Sequence, residues 1–171
     1  MIDWEKLVAE HGPRVWRTVY RLLADHAEAL DCYQDTFLAL RRSPPQRPVV
    51  NWEAFLTALA ARRAIDRLRQ RKRQRTLLAA LEHAPPSASR SVDPADELAA
   101  AELLERVRGA LAELPDRQAE VFWLSCVDGL PHAEIAAQLR VSSGAVRAIL
   151  HRARTSLAAA LNPLSVERND S

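Results

Sequence analysis

The stretch over residues 130–157 runs LPHAEIAAQLRVSSGAVRAILHRARTSL. Its apolar positions recur at helical spacing up to Leu139, are interrupted at Arg140-Val141-Ser142, and resume at Val146 and Leu150. A short helix, a tight turn and a second helix capped by Ser142 or Ser143 account for that pattern, which is the spacing of a helix-turn-helix. Ile135, Ala136, Leu139, Val141, Val146 and Leu150 are expected to form the shared core, with the small Ala136 letting the two helices cross closely. Ser143, Arg147, His151 and Arg154 fall at steps of four, four and three, so they form one outward stripe suited to bases and phosphates in a major groove. Ser142, Gly144 and Arg152 complete the DNA-binding residues expected here. An ordinary helical hairpin with a polar face is the blander alternative.

Upstream, Asp128-Gly129 turns the chain and Pro131 suits a first helical turn. Asp116 is expected to cap a short helix holding Val121, Phe122 and Leu124. Before Pro115, Leu98, Leu103, Leu104, Val107, Leu111 and Leu114 mark a helix that begins near Ala95. The stretch from Ala84 to Pro94 carries proline and serine throughout and little that could be buried. It divides the chain into a first domain over 1–78, a flexible linker over 79–96, a second domain over 97–161 and a tail over 162–171.

In the first domain Asp3 can cap a helix starting at Trp4, and His11-Gly12-Pro13 is expected to kink or break it. After a turn at Asp25 and His26, a second helix over 27–42 carries Leu30, Tyr33, Phe37 and Leu40 as one apolar stripe. Ser43-Pro44-Pro45 stops it, a proline-bearing loop over 46–50 follows, and a long third helix starts near Trp52. That helix runs into RRAIDRLRQRKRQR at 62–75, where eight basic residues face one acid, Asp66. Such a block attracts a phosphate backbone through counterion release. Arg62, Arg63, Arg67, Arg69, Arg71 and Arg73 are its candidate DNA contacts, and a solvated helix face is the alternative.

Composition excludes more than it selects. The 171 residues include only four glycines and few valines, isoleucines and aromatics, which favours an all-α fold. With 48% hydrophobic and 27% charged residues the chain can bury cores and remain soluble, while a net charge of +2 says little by itself. No apolar run approaches the ~20 residues that span a bilayer, and residues 1–6 lack a basic stretch followed by an apolar one, so a cytoplasmic location without membrane insertion is expected. Cys32 and Cys126 stand far apart outside any metal-ligand spacing, and the five histidines are scattered. With no nucleophile elbow or glycine-rich phosphate loop, no catalytic residue, metal, cofactor or small-molecule substrate is expected.

Taken together, these segments resemble the extracytoplasmic-function (ECF) class of the sigma-70 family, the small two-domain subunits that direct core RNA polymerase to promoters. Ala29-Leu30-Asp31-Cys32-Tyr33-Gln34-Asp35-Thr36-Phe37-Leu38 is similar to that family's Ala-Glu-Asp-x-x-Gln-Glu-x-Phe-Leu motif. The resemblance implies that Asp31, Gln34, Asp35, Phe37 and Leu38 bind polymerase, with Leu30 standing where glutamate is usual. Residues 52–69 resemble the stretch that supports recognition of the melted upstream promoter element, with Ile65, Asp66, Leu68 and Arg69 matching and Arg62 replacing a frequent asparagine. Leu114-Pro115 and Val121-Phe122 resemble the start of the family's second domain. Residues 144–154 resemble its recognition helix, and Leu150-His151-Arg152-Ala153-Arg154 match in full. Arg140 occupies a turn position where glycine is common, Ala145 replaces threonine and Ile149 replaces a frequent arginine.

The resemblance implies a sigma region 2-like three-helix unit joined to a sigma region 4-like helix-turn-helix. Core RNA polymerase and promoter DNA are the expected partners, and an anti-sigma factor is a further candidate. The first domain would dock on polymerase and capture the unpaired strand with residues 42–73, while the second would hold the upstream duplex. A helix-turn-helix transcriptional regulator with an N-terminal helical sensor or dimerisation domain is the alternative, and a purely protein-binding helical module is a third class.

Overall fold

Asp3 accepts a hydrogen bond from the Lys6 N–H at 3.1 Å, so α1 (Trp4–Leu23) starts where its cap places it. A computed structural model of the chain describes residues 2–82 and 95–162, with side chains over 2–81 and 100–162. Pro13 lies inside α1 but does not break it. Pro13 is exposed, while Val15, Val19, Leu22 and Leu23 are fully buried on the other side. Burial is worth roughly 1.5–3 kcal/mol per large apolar side chain, against ~3 kcal/mol for an interior proline, so packing overrides the local breaker. Gly12 lies under the Tyr33 ring: a Cβ there would stand 2.6 Å from the Tyr33 hydroxyl, so a larger residue would require that side chain to shift.

Ala24 in the left-handed region ends α1, and the Asp25 carboxylate accepts from the Glu28 N–H at 2.8 Å to open α2 (His26–Arg42). The buried line of α2 is Ala29, Cys32, Thr36 and Leu40. This corrects the expected stripe. Small residues make the closest approach, Tyr33 and Phe37 are half-buried at its edge, and Leu30 faces solvent. Trp16, Tyr33 and Phe37 stack edge-on in series, with ring centroids 6.0 and 5.1 Å apart. Asn51 accepts from the Ala54 N–H at 3.0 Å at the start of α3 (Trp52–Glu82).

The helix α4 (Ala95–Glu113) precedes α5 (Asp116–Phe122), a π-helical turn (Trp123–Val127), α6 (His132–Leu139) and α7 (Ser143–Leu161). Helical structure thus extends into both ends of the expected linker, and 83–94, like the tail over 163–171, lie outside the described residues. Leu111 and Leu114 are buried, whereas Leu103 and Leu104 are exposed. Asp116 is not the expected cap: Pro115 holds that position without a side-chain hydrogen bond, and Asp116 turns to Arg69 instead. Between α6 and α7, Arg140 adopts φ 55°, the left-handed conformation that favours glycine. Val141 follows it at the tip of the turn and is exposed rather than in the core, while Ile135, Ala136, Leu139, Val146 and Leu150 are buried as expected.

The two halves pack against each other along α3. Ala54, Leu56, Ala58, Ala60, Ala61, Ala64, Ile65 and Leu68 are all buried, more than one helical face can hold. One side of α3 meets α1 and α2, and another meets α4, α5 and α6. Its many alanines let helices approach from both directions.

Candidate nucleic-acid interface

On α7 the stripe forms as the spacing requires. Ser143, Arg147, His151 and Arg154 are all exposed on one helix whose other face buries Val146, Leu150, Ala153 and Leu157. Ser142 is the cap, its hydroxyl accepting from the Ala145 N–H at 3.0 Å, so its side chain fixes the helix entry. Gly144 and Arg152 are exposed beside the stripe. Arg154 donates to the Cys126 sulfur at 3.4 Å, which holds its guanidinium near the π-helical turn. Ile149 is half-buried and packed against the core. Among the described residues no group of histidine, cysteine or acidic side chains could hold a metal ion.

The basic helix is less free than its composition suggests. Arg62 and Arg73 are exposed. Arg67 pairs with Asp35 of α2 at 2.5 Å, and Arg71 pairs with Glu28 while donating to the Leu23 carbonyl at 3.2 Å. Arg69 is half-buried, paired with Asp116 at 2.6 Å and donating to the carbonyls of Leu114 at 2.8 Å and Ala112 at 3.3 Å. Arg63 is half-buried with its Nε enclosed and without a hydrogen-bond partner. Of the six arginines named from sequence, the structure therefore presents two openly and engages three with other elements. Arg67, Arg71 and Arg73 do line one open cleft with Glu28, Gln70 and Gln74. Lys72 and Arg75 are exposed cations of the same block that the sequence reading did not single out.

On α2, Asp31, Gln34, Asp35 and Leu38 are exposed, and Phe37 is half-buried against Tyr33. Leu30 joins the exposed face at 40% exposure. The result is an acidic and apolar strip over two helical turns, with Leu30, Gln34 and Leu38 in one row and Asp31 and Asp35 in the next. Leu30 was missed because its hydrophobicity pointed inward, although its polar neighbours Asp31 and Gln34 signalled an outer face. Behind the strip, burial pushes the Cys32 thiol up to about 11, against the nearby Arg67 and Arg63 charges. Cys32 is thus a packing residue.

These two surfaces, a helix-turn-helix at one end and an exposed acidic and apolar strip beside a basic helix at the other, are those of a DNA-binding protein. Residues 7–74 match the family described as Sigma-70 region 2, and 104–157 match Sigma-70, region 4. The RNA polymerase sigma factor CarQ of Myxococcus xanthus is 33% identical over 96% of this chain and 92% of its own. The ECF RNA polymerase sigma factor SigE of Mycolicibacterium smegmatis is 32% identical over 92% of this chain, which spans 61% of that protein's length. The solved structure of CnrH in complex with the cytosolic domain of CnrY aligns with TM-score 0.55 and 26% identity, over 92% of this chain and 86% of that one. The RNA polymerase sigma factor CnrH of Cupriavidus metallidurans is 31% identical over 92% of this chain.

The chain belongs to the ECF class of sigma-70 RNA polymerase sigma factors, which act in promoter-directed transcription initiation. Its N-terminal half is a region 2 unit, so the sensor or dimerisation domain of the alternative reading gives way. Sigma factors are initiation factors and perform no catalysis of their own. Among the described residues no helix is long and apolar enough to cross a membrane.

Proposed function

We propose that the exposed strip of α2 (Leu30, Asp31, Gln34, Asp35 and Leu38, with Phe37 behind them) fastens the chain to core RNA polymerase, and that α7 reads duplex DNA upstream. The loop over 43–51 and the cations of α3 receive the unpaired strand. The observation that carries this reading is the division of labour on α7: four stripe residues stand exposed at steps of four, four and three, while its opposite face is wholly committed to the core. An oriented helix of this kind places side chains in a major groove without distorting its own domain. The chain is non-enzymatic in this account and works in the cytoplasm. An anti-sigma factor is a natural partner, since the similar structure of CnrH was solved with CnrY.

Asp35 is the residue on which the docking half is tested. It is about half exposed and paired with Arg67 across α2 and α3, and exposed pairs contribute only ~0.2–1 kcal/mol to stability. Asp35→Lys should therefore leave the unfolding curve within about 1 kcal/mol of the native chain and weaken association with purified core polymerase by tenfold or more, on the order of 1.4 kcal/mol. Unchanged affinity in a titration would remove Asp35 from the docking surface.

A further inference from the structure

The basic block of α3 runs into leucine. Leu77, Leu78 and Leu81 are 62, 53 and 69% exposed. At about 100° per residue the three fall within roughly a third of the helix circumference. They point away from α4, because Ala79 is half-buried and Lys72 pairs with Glu113 at 2.5 Å on the opposite side of the helix. Single exposed leucines are ordinary surface, whereas three gathered on one face mark a contact.

Charge borders this stripe on both sides. Arg73 lies one turn before Leu77 at one edge, Arg75 lies one turn before Leu78 at the other, and both arginines are exposed. Of the five cations over 69–75, Arg69, Arg71 and Lys72 are engaged by acids of the same chain. Beside Arg73, Leu77 and Ala80 floor an open groove of about 470 Å³ that ends at Ala112 of α4. An apolar strip with guanidiniums along both edges is the layout of a helix that lies in a membrane interface, where the arginine stems follow the apolar surface and the charged heads stay at the phosphates.

A second copy of the chain is a poor occupant, because it would set Arg73 and Arg75 against cations of the same kind. A folded protein partner is also poorly matched, since three leucines supply a small part of the roughly 800 Å² that a stable interface covers on each side. An anionic lipid leaflet meets both conditions, with phosphates for the arginines and an acyl boundary for the leucines. We propose that the end of α3 is a peripheral membrane contact, in which Leu77, Leu78 and Leu81 enter the acyl boundary of an anionic lipid surface while Arg73 and Arg75 hold its headgroup phosphates. The contact is shallow and reversible, with α3 lying in the plane of the interface rather than crossing it. It goes beyond promoter recognition and does not rest on it. Because Arg73 is also a candidate DNA contact, lipid and DNA exclude one another at this residue.

The test is co-sedimentation of the full chain with vesicles of equal parts phosphatidylglycerol and phosphatidylcholine, and with vesicles of phosphatidylcholine alone, at about 0.1 M salt. Leu77→Ser with Leu81→Ser removes the apolar stripe and keeps every charge. Arg73→Gln with Arg75→Gln removes the flanking cations and keeps the leucines. Leu103→Ser with Leu104→Ser on α4 is the control, since these leucines are 50 and 52% exposed and lie outside the basic block. All six positions are exposed, and thermal unfolding confirms that each variant is folded.

The native chain should bind the anionic vesicles at least tenfold more tightly than the neutral ones. The leucine variant and the arginine variant should each lose about tenfold on the anionic vesicles, and the α4 control should bind as the native chain does. No binding of the native chain to anionic vesicles would overturn the proposal. So would binding that the leucine variant retains in full, which is adsorption by charge alone, or an equal loss in the α4 control. Two further outcomes would give the stripe to a protein and defeat the lipid reading: self-association of the native chain in sedimentation velocity that the leucine variant abolishes, or a leucine variant that loses core polymerase while keeping its vesicles.

Discussion

Arg140 shows how a single residue carries two demands. It ends α6 at φ 55°, and its amide and that of Val141 both close onto the Ala136 carbonyl. The turn of the helix-turn-helix needs this geometry, and a side chain there carries a strain of roughly 1–2 kcal/mol. Arg140→Gly should relieve part of it, raising the urea unfolding free energy by up to about 1 kcal/mol after glycine's greater loss of chain entropy. A decrease would mean that the arginine makes a compensating contact. The departure from glycine was visible in the sequence because the turn's position was fixed by the apolar residues on either side. Leu30 was not, since a leucine in a helix with an apolar stripe is assigned inward unless the partner helix's own small residues are known.

At the scale of the element, α7 is the part of the interface whose local design was most legible. Its cap, its buried row and its exposed stripe follow from one period, and the Ser142 hydroxyl closes on the Ala145 N–H where the sequence allowed either serine. Ser142→Ala should lower stability by ~1 kcal/mol and loosen the first turn, reducing duplex binding by the intact polymerase complex while leaving core association unchanged. Loss of core association would place Ser142 in a different role. Two features of other elements were not legible. Proline at 13 signals a break, and only the buried Val15, Val19, Leu22 and Leu23 show why α1 continues. The π-helical turn over 123–127 has no local sequence signature, because an inserted residue in a helix is accommodated by tertiary packing.

The whole molecule is where composition misleads most. The +7 block on α3 reads as a solvated or DNA-facing surface, yet its partners Glu113 and Asp116 lie more than 40 residues away, and no spacing rule joins them. Burial where the two halves pack shapes how that packing depends on pH. The Asp128 carboxyl is raised by desolvation, opposed by the Thr18 hydrogen bond and the charges of Arg14 and Arg21. Glu120 is raised by desolvation, opposed by Arg117 and Arg62 and assisted by Asp116 and Asp66. A carboxyl raised where the halves pack favours that packing while protonated, and that contribution is lost as pH rises through its raised value. Lowering the pH through the raised range of these two carboxyls should therefore favour the packed arrangement of the halves and compact the native chain in solution scattering. Asp128→Asn should flatten that response, and a native chain that expands over the same range would reverse the assignment.

In the function proposed above, α2 brings this chain to polymerase and α7 chooses where synthesis begins. Run-off transcription by purified core polymerase on a promoter library tests it most directly, with the native chain and Arg147→Ala compared at equal occupancy. The native chain should yield discrete start sites absent with core alone. Arg147→Ala should lose about 1–3 kcal/mol of discrimination at the upstream duplex element if the arginine contacts a base. Transcripts indistinguishable from those of core polymerase alone would contradict the account.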